Sequence, residues 1–265
     1  MSPDFIAPLF VPADRLDRFG KAASSGTDAV ILDLEDAVAP NAKTAARQSL
    51  SSNFTSLPVI VRVNATGTPW HLDDLAAAAR SPLSAVMVPK SESAASLAAI
   101  SASINLPLIA LVETAAGLSA AREIAAVQGV MRLAFGSIDF CADLGCAHHR
   151  DVLLPARSAL VLASRLSGKA KPLDGVTTSI EYSELVADDS RHARALGFGG
   201  KLCIHPRQVA AVIAGFQPDE AEIDWARKVL AGGDGASAVD GAMVDEPVRI
   251  RARSILAQVT RTEGF

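Results

Sequence analysis

The sequence predicts an α/β fold in which eight parallel strands, each followed by a helix, close into a (β/α)8 barrel (TIM barrel) with a C-terminal helical tail. Short β-branched or aliphatic runs recur along the 265 residues, and an alanine-rich segment of helical period follows each run. The first six runs start about 20 to 30 residues apart, the repeat expected of a barrel of roughly 250 residues. A single barrel is therefore favoured over two smaller domains.

Eight short runs provide the predicted strands. They are Pro8–Val11, Ala29–Asp33, Val59–Val63, Ala85–Val88, Leu108–Val112, Arg132–Phe135, Leu173–Val176 and Lys201–Ile204. The longer gap between the sixth and seventh strands must hold an extended loop and a helix, which we place at Pro155–Ser167. Long loops in barrels often carry function.

The end of the barrel is marked by a helix that begins after Asp219 and closes at Gly232. The next residues, GGDGASAVDG, are rich in glycine and cannot pack a core. The chain then resumes as MVDEPVRIRARSILAQV, where Pro247 suits a first helical turn. We therefore predict a barrel over residues 1–232 and, over residues 233–265, a flexible hinge followed by a C-terminal tail.

Composition and charge exclude several classes of protein. Apolar residues make up 49% of the chain and charged residues 20%, the balance of a globular protein with a substantial core. The net charge is −4, and no basic run could neutralise a nucleic-acid backbone. No apolar segment is long enough to cross a bilayer, and the first residues lack a basic region before an apolar stretch. We expect a cytoplasmic protein with neither a nucleic-acid nor a membrane partner.

Three cysteines, Cys141, Cys146 and Cys203, are too few and too odd in number for a disulfide framework, which fits a reducing compartment. Two of them lie close to His148 and His149, so a zinc cluster is an alternative. A four-residue gap followed by adjacent histidines matches no common structural zinc spacing. We therefore predict buried or half-buried thiols.

Polar residues gather where the predicted strands end, which is where a barrel of this kind places its active site. They are Asp33, Glu35 and Asp36 after strand two, Arg62 and Asn64 at strand three, Lys90 after strand four, Glu113 after strand five, Gly136, Ser137 and Asp139 after strand six, and His205 after strand eight. Loops are polar in any protein, but this many ionisable strand ends indicate a functional site.

A divalent cation is the simplest explanation for the carboxylates at these ends. Glu113 and Asp139 follow adjacent strands, with Asp33, Glu35 and Asp36 nearby, so they would repel strongly unless they shared a cation. Magnesium prefers oxygen ligands and often uses one or two carboxylates, with water and substrate oxygens completing its shell. We predict Mg²⁺ on Glu113 and Asp139, with the other three carboxylates around them.

The remaining strand-end residues suggest how a ligand would bind. Arg62 can pair bidentately with a substrate carboxylate or polarise a carbonyl, which predicts a small oxo acid as ligand. Gly136 and Ser137 would let backbone N–H groups approach an anionic ligand closely, unless they form an ordinary tight turn. Lys90 is either an imine-forming nucleophile or, with so many acids around it, a salt-bridge partner. His205 is either an acid or base or a tie between loops.

Eight sequence blocks in order resemble the citrate lyase β-subunit-like, or HpcH/HpaI aldolase, family of CoA-ester lyases. The blocks are LFVPADRLDRFGKAASSGTDAVILDLEDAV, VIVRVN, VMVPKSE, LIALVETAAGL, LAFGSIDFCADLG, DGVTT, GFGGKLCIHPRQV and GAMVDEP. They cover nearly the whole chain, and most fall on predicted strand ends. As a set they are highly specific.

The resemblance implies a Mg²⁺-dependent barrel, usually a homotrimer and in some cases part of a larger lyase complex. Such enzymes cleave or form a C–C bond between a 2-oxo acid and an acyl-CoA, as with citryl-CoA or malyl-CoA. By motif, Glu113 and Asp139 would ligate the metal, and Arg62 would bind the oxo acid during catalysis. Asp245 of GAMVDEP would act as acid or base in a neighbouring subunit's site, which the hinge would let it reach. Its alternative role is that of a helix-start aspartate.

Two departures from the family pattern weaken the CoA part of this expectation. Relatives commonly begin RSxLFVP and carry ETARG, whereas Ile6 and Ala7 precede this LFVP and Ala116 stands in place of the arginine. The phosphates of CoA usually need positive partners. Three alternatives therefore stay open: an aldolase acting on free pyruvate, a thioesterase acting on a malyl-type ester, and a non-catalytic oxo-acid-binding protein.

Overall fold

The computed structural model describes residues 4–232, 237–239 and 241–262. Its main sheet contains eight parallel strands in the order β1 to β8, so every strand lies beside its neighbours in the sequence. The strands are β1 Leu9–Pro12, β2 Val30–Asp33, β3 Val59–Arg62, β4 Ala85–Val88, β5 Leu108–Val112, β6 Val130–Phe135, β7 Leu173–Asp174 and β8 Gly200–Lys201.

The two edges of the sheet meet, which closes the barrel. Leu9 of β1 pairs in parallel with Cys203, two residues beyond β8. The amide of Phe10 donates to the carbonyl of Cys203 at 2.9 Å, and the amide of Cys203 donates to the carbonyl of Pro8 at 2.9 Å. The predicted (β/α)8 barrel is confirmed. β7 and β8 are shorter than predicted, although Leu202 and Cys203 beyond β8 still donate to the carbonyls of Asp174 and Pro8.

The barrel interior is filled with apolar side chains. Strands β2 to β5 are buried on both faces, as expected for parallel strands covered by helices. The central cluster includes Ile31, Ile60, Met87, Ile109, Leu111, Ala134, Leu173 and Leu202. This packed interior leaves the space for a ligand at the ends of the strands.

Ten helices follow the strands through the barrel. They are α1 Leu16–Ala23, α2 Lys43–Gln48 after a 3-10 turn at Pro40–Ala42, α3 His71–Arg80, α4 Ala94–Ser103, α5 Ala115–Ser119, α6 Ala121–Ala126, α7 Ser137–Leu144, α8 Arg150–Leu166, α9 Ser183–Leu196 and α10 Pro206–Phe216. The prediction that α8 begins at Pro155 was wrong. The ring of His149 accepts the amide of Asp151 and starts the helix earlier, which leaves Pro155 in its interior.

The chain divides into two compact units, Met1–Ala214 and Gly215–Phe265. In the second unit, α11 (Glu220–Ala231) packs on α12 (Glu246–Thr262). Strands β9 (Ser237–Val239) and β10 (Ala242–Val244) pair in an antiparallel hairpin between these helices.

The observed division lies earlier than the predicted one after Gly232, because α11 shares a core with α12. Residues 233–236 and 240 of the predicted hinge lie outside the described residues. Asp219 caps α11 as predicted, in a capping box with Glu222. Among the helices that the structure describes, none has both the length and the apolarity that crossing a membrane requires.

Candidate active site

A cavity of about 880 Å³ opens at the carboxyl ends of the barrel strands. Most of the residues predicted for the site line it. They are Asp33, Asp36, Arg62, Glu113, Gly136, Ser137, Asp139 and His205. Glu35 and Lys90 stand behind this lining, where they contact residues that form it.

Asp33 and Arg62 form a bidentate ion pair in the cavity wall. They are direct neighbours in the β2–β3 register, so both side chains emerge at the same level. The Nε and Nη2 atoms of Arg62 each lie 2.7 Å from a carboxylate oxygen of Asp33. Asp33 also accepts the amides of Glu35 and Ala37 at 2.9 and 3.1 Å. The bidentate pairing that the sequence suggested for a substrate carboxylate is thus made inside the protein.

The third guanidinium nitrogen of Arg62 faces two further carboxylates. Its Nη1 atom lies 3.1 Å from Glu35 Oε2 and 3.2 Å from Asp36 Oδ2. Burial opposes the charge, but the hydrogen bonds to Asp33 and the charges of Glu35 and Asp36 outweigh it and raise the pKa of Arg62. Arg62 is therefore a permanent cation, and Nη1 is the nitrogen through which it can meet a ligand.

Lys90 contacts two carboxylates, Glu35 after β2 and Glu113 after β5. Its Nζ atom lies 3.0 Å from Glu35 Oε1, and its backbone amide donates to Glu113 Oε1 at 2.8 Å. Burial lowers the pKa of Lys90, but the hydrogen bond and charge of Glu35 outweigh that effect and raise it overall. The prediction of a salt bridge is confirmed. A protonated lysine is a poor imine-forming nucleophile.

The backbone of Lys90 is left-handed, with a φ of 47°. Such a conformation costs a residue with a side chain about 1 to 2 kcal/mol, and such strain is concentrated at functional sites. Here it directs the amide of Lys90 at Glu113.

Glu113 is almost fully buried, with 1% of its surface exposed. Burial and, after it, the charge of Glu35 raise its pKa to about 8. The Lys90 amide opposes this shift, and the charges of Asp139 and Arg62 have smaller and opposite effects. The like charges of Glu35 and Asp139 are the part of this shift that a nearby cation would relieve.

Gly136 lets β6 approach Glu113. A Cβ atom at this position would lie 2.3 Å from Glu113 Oε2 and 2.4 Å from Glu113 Cβ. Its amide donates to the carbonyl of Val112 at 2.9 Å, so it continues the sheet and does not face a ligand. The glycine thus makes room for a carboxylate, and binding of an anionic ligand by the Gly136–Ser137 backbone stays a prediction.

We expect Gly136→Ala to destabilise the fold by about 1 to 3 kcal/mol, because the new methyl group meets both the head and the stem of a buried side chain. Gly20→Ala is the matched control, since a Cβ atom there would meet nothing within 4 Å. Urea unfolding of both variants measures the difference. Equal stability of the two would contradict this account of Gly136.

Ser137 and Asp139 lie in the first turn of α7, on the same cavity wall as Glu113. The Ser137 hydroxyl is 3.0 Å from Nε2 of His148 in the loop that follows α7. A Cβ atom on Gly175 would lie 2.2 Å from this hydroxyl, so the glycine gives the serine its space. The start of α7 is therefore held from two sides.

His205 lines the cavity, and it also forms hydrogen bonds with the residues that follow it. Its Nδ1 atom accepts the amide of Arg207 at 3.2 Å, and its own amide donates to Gln208 at 3.3 Å. Gln208 in turn donates to the carbonyls of Thr177 and Ser179. The loop-tying role predicted as one alternative is thus present, and an acid or base role stays a prediction.

Two further predicted residues, Asn64 and Asp245, make local contacts of their own. Asn64 donates to Asp74 at 2.6 Å and helps to hold the loop after β3. Asp245 belongs to the second unit, where its carboxylate accepts the amide of Val248 at 3.3 Å at the start of α12. This contact is that of a helix-start aspartate, and the role in a neighbouring subunit stays a prediction.

Three cations of the cavity were missed in the sequence. Arg15 directly precedes α1, Arg18 and Lys21 lie within it, and all three line the cavity. Their spacing of three residues places them along one face of the helix, and this helix begins just after the first strand. That spacing was the signal that could have found them. Asp17 also lines the cavity and pairs with Arg15 at 3.0 Å, so mainly Arg18 and Lys21 supply the positive charge that the sequence lacks at Ile6 and Ala116.

The zinc alternative receives no support. Within residues 4–232, 237–239 and 241–262, no group of three or more His, Cys, Asp or Glu side chains could hold a metal ion together. Magnesium on Glu113 and Asp139 stays a prediction, and with two carboxylates as ligands it would leave its other positions to water or a ligand.

Known proteins resemble this chain over nearly its full length. The family model for HpcH/HpaI aldolase/citrate lyase matches residues 7–206. A citrate lyase subunit beta-like protein of Mycobacterium tuberculosis is 40% identical over 259 residues, covering 94% of this chain and 93% of the relative. A (3S)-malyl-CoA thioesterase of Cereibacter sphaeroides is 34% identical and covers 98% of this chain and 96% of the relative.

A solved structure agrees with these sequence matches. The protein CitE of Mycobacterium tuberculosis, in complex with magnesium, acetoacetate and coenzyme A, has a TM-score of 0.89 and 39% identity, covering 97% of this chain and 99% of that chain. A citrate lyase beta subunit from the same organism, complexed with oxaloacetate and magnesium, has a TM-score of 0.73, 38% identity, and coverage of 82% and 98%. The chain belongs to the HpcH/HpaI aldolase/citrate lyase family.

Proposed function

We propose that this chain is a Mg²⁺-dependent carbon–carbon lyase. Its substrate is a 3-hydroxyacyl-CoA such as citryl-CoA or malyl-CoA, which it cleaves to, or forms from, an acyl-CoA and a 2-oxo acid: oxaloacetate, glyoxylate or pyruvate. One observation carries the proposal: a single cavity has the buried carboxylate Glu113 and the half-buried carboxylate Asp139 in its wall and three cations at α1. That division suits a ligand with an oxo-acid end and a phosphate-bearing end.

The carboxylates fit magnesium in charge and in chemistry. Glu113 is buried near Glu35 and Asp139, and the pKa of about 8 shows that an uncompensated charge is costly there. A dication would remove that cost, and oxygen donors are the ones that Mg²⁺ prefers. Mg²⁺ on Glu113 and Asp139 would supply a Lewis acid for the oxygen that becomes the keto group. Magnesium complexes of the Mycobacterium tuberculosis relatives support this assignment.

The residues of the cavity wall would bind the oxo-acid half. Arg62 presents Nη1 as a permanent cation, and Asp33 holds the other two nitrogens so that this orientation is fixed. A fixed donor at the site of developing negative charge stabilises the transition state without reorganisation. Gly136 and Ser137 complete the wall beside Asp139.

In the cleavage direction, a base removes the proton of the substrate hydroxyl and the C–C bond breaks. The electron pair of that bond passes to the acyl-CoA half as an enolate, which an acid protonates at carbon. Asp245 of a neighbouring subunit in a homotrimer is our proposal for this acid. The reverse sequence is a Claisen condensation.

Arg15, Arg18 and Lys21 would bind the CoA phosphates. We expect Arg18→Ala and Lys21→Ala to raise the KM for a CoA ester about tenfold or more, because each removes a charge-assisted contact. The affinity for free oxo acid should not change, since the carboxylate wall is intact. Steady-state kinetics and calorimetry measure the two effects separately. An equal loss of oxo-acid affinity would contradict this division of the cavity.

The raised pKa of Glu113 predicts how Mg²⁺ affinity depends on pH. Below about pH 8 the carboxyl must lose its proton before it can bind a cation, so affinity should rise with pH and level off above that value. Calorimetry between pH 6 and 9, in two buffers of different ionisation enthalpy, should detect about one proton released per Mg²⁺ at the acidic end. Binding without proton release would contradict the assignment.

The same shift affects the stability of the metal-free protein. The folded-state pKa of about 8 lies above the ordinary value of 4.5, so the protonated carboxyl contributes its full stability below pH 4.5. That contribution is lost as the pH rises from about 4.5 to about 8. Thermal unfolding of metal-free Glu113→Gln should lack this loss.

A malyl-type thioesterase is the second candidate, because the Cereibacter sphaeroides relatives carry that name at 34% identity. In that reaction water attacks the thioester carbonyl in the same cavity, and free CoA leaves. An aldolase using free pyruvate and a non-catalytic oxo-acid binder are the remaining alternatives.

One coupled assay separates these functions. Citryl-, malyl- and citramalyl-CoA are supplied with and without Mg²⁺, and oxo acid, acyl-CoA and free CoA are measured. The proposed lyase releases oxo acid and acyl-CoA in equal amounts only with Mg²⁺. Free CoA without oxo acid selects the thioesterase. No turnover of any ester overturns the lyase, and 4-hydroxy-2-oxo acids then test the aldolase.

A further inference from the structure

Two cysteine thiols meet at the end of α7, the helix that carries Asp139. The helix ends at Leu144 and turns through Gly145, which is left-handed with a φ of 69°. The amides of Gly145 and Cys146 both donate to the carbonyl of Cys141, the latter at 3.1 Å. This helix-ending turn brings the side chains of Cys141 and Cys146 side by side. Burial, and after it the neighbouring Cys146 thiol, raise the pKa of Cys141 to about 11.

The three cysteines differ in their access to solvent. Cys146 is half-buried, and the residues between it and Cys141 are exposed. Cys141 is 7% exposed, and Cys203 is fully buried in the barrel wall at 0%. Cys146 is therefore the thiol that an oxidant in solution reaches first, and Cys141 is its neighbour. Cys203 is protected by burial.

We infer that Cys141 and Cys146 are a site of reversible oxidation, and that their disulfide weakens the carboxylate site on the same helix. Hydrogen peroxide is the oxidant class. It converts the Cys146 thiol to a sulfenic acid with release of one water, and Cys141 then attacks the Cys146 sulfur and releases a second. Two thiols and one peroxide thus give one disulfide and two waters. In a reducing compartment such a bond is transient.

The segment that the disulfide would constrain touches both sides of the carboxylate site. Asp143, between the two cysteines, accepts the amide of Ala115 at 2.7 Å, two residues after Glu113. Past Cys146, the ring of His148 contacts the Ser137 hydroxyl at 3.0 Å. Movement of this segment therefore reaches the turns that carry Glu113 and Asp139.

Closing the bond requires such movement. The sulfurs of a disulfide are about 2.0 Å apart, much closer than two thiols that are only in contact. The turn at Gly145 must move to bring the sulfurs together, since Cys141 is fixed within the buried face of α7. This coupling rests on the proposed role of Glu113 and Asp139 in binding Mg²⁺.

The test compares reduced and peroxide-treated wild-type protein. Mass spectrometry should show a loss of about 2 Da and a cross-link between the peptides that contain Cys141 and Cys146. Calorimetry should show at least fivefold weaker Mg²⁺ binding in the oxidised protein, restored by dithiothreitol. Cys146→Ser should bind Mg²⁺ equally before and after peroxide, and Cys203→Ser should behave as wild type.

Absence of the cross-link overturns the inference, and so does a cross-linked protein with unchanged Mg²⁺ affinity. Failure of the reduced wild-type protein to bind Mg²⁺ is a different result, because it overturns the proposed function and, with it, the coupling. Mass spectrometry and the reduced-state titration thus report on the two proposals separately.

Discussion

Replacing Glu113 by Gln is expected to lower kcat/KM for the CoA ester by at least about 10³-fold, because the variant loses one of the two carboxylates proposed to bind Mg²⁺. Asp139→Asn should have a similar effect. The glutamine keeps the shape of the side chain and still accepts the amide of Lys90. Steady-state release of oxo acid measures the loss.

Glu123→Gln is the matched control, since it removes the same charge from an exposed position on α6 outside the cavity lining. The control should retain wild-type turnover. Urea unfolding should show that Glu113→Gln is folded. Without metal at neutral pH it should be no less stable than the wild type, because the wild type has already lost the stability that its protonated carboxyl contributes at low pH. Full turnover by Glu113→Gln would remove this residue from the mechanism.

Arg62→Lys is expected to lower kcat/KM by about 10²-fold while the protein still folds. Displacing a catalytic group by about 1 Å in an oriented site costs about that factor in rate. Lysine keeps the positive charge but cannot make the two parallel hydrogen bonds to Asp33 that orient Nη1. The reduction should appear mainly in kcat, since the charge still attracts the oxo acid.

Arg62→Ala is the harsher variant, and it should also unfold more easily. It leaves Asp33 buried without its partner, and such a loss costs about 3 to 5 kcal/mol. Asp33→Asn tests the orientation separately, because it keeps Arg62 and removes the carboxylate that holds it. Wild-type kinetics in both Arg62→Lys and Asp33→Asn would show that the bidentate pair has no part in catalysis.

The barrel was predictable because its signals are local and repeated. Each strand is a short apolar run bounded by polar residues, and the regular spacing of β1 to β6 leaves one simple closed topology. The strand ends were equally visible, since parallel strands bring their carboxyl ends to one face. For that reason Glu113, Asp139, Arg62 and Asp33 were found as a group before their contacts were known.

What sequence reasoning missed depends on register and close contacts. The Asp33–Arg62 pair follows from the alignment of β2 with β3, which no single strand encodes. The reason for a glycine at position 136 is not visible locally, because the side chain that needs the space is Glu113, which follows a different strand. The three cations at α1 were missed because nothing in the helix sequence itself shows that a cavity lies beside it.

The most direct test of the central claim is a titration of Mg²⁺ and of oxaloacetate into the wild-type protein, Glu113→Gln, Asp139→Asn and the control Glu123→Gln. The claim predicts that the wild type and the control bind Mg²⁺ and that oxaloacetate binds more tightly once the metal is present. Both responses should be lost in the Glu113 and Asp139 variants. Unchanged Mg²⁺ affinity in those two variants would place the metal elsewhere and contradict the account.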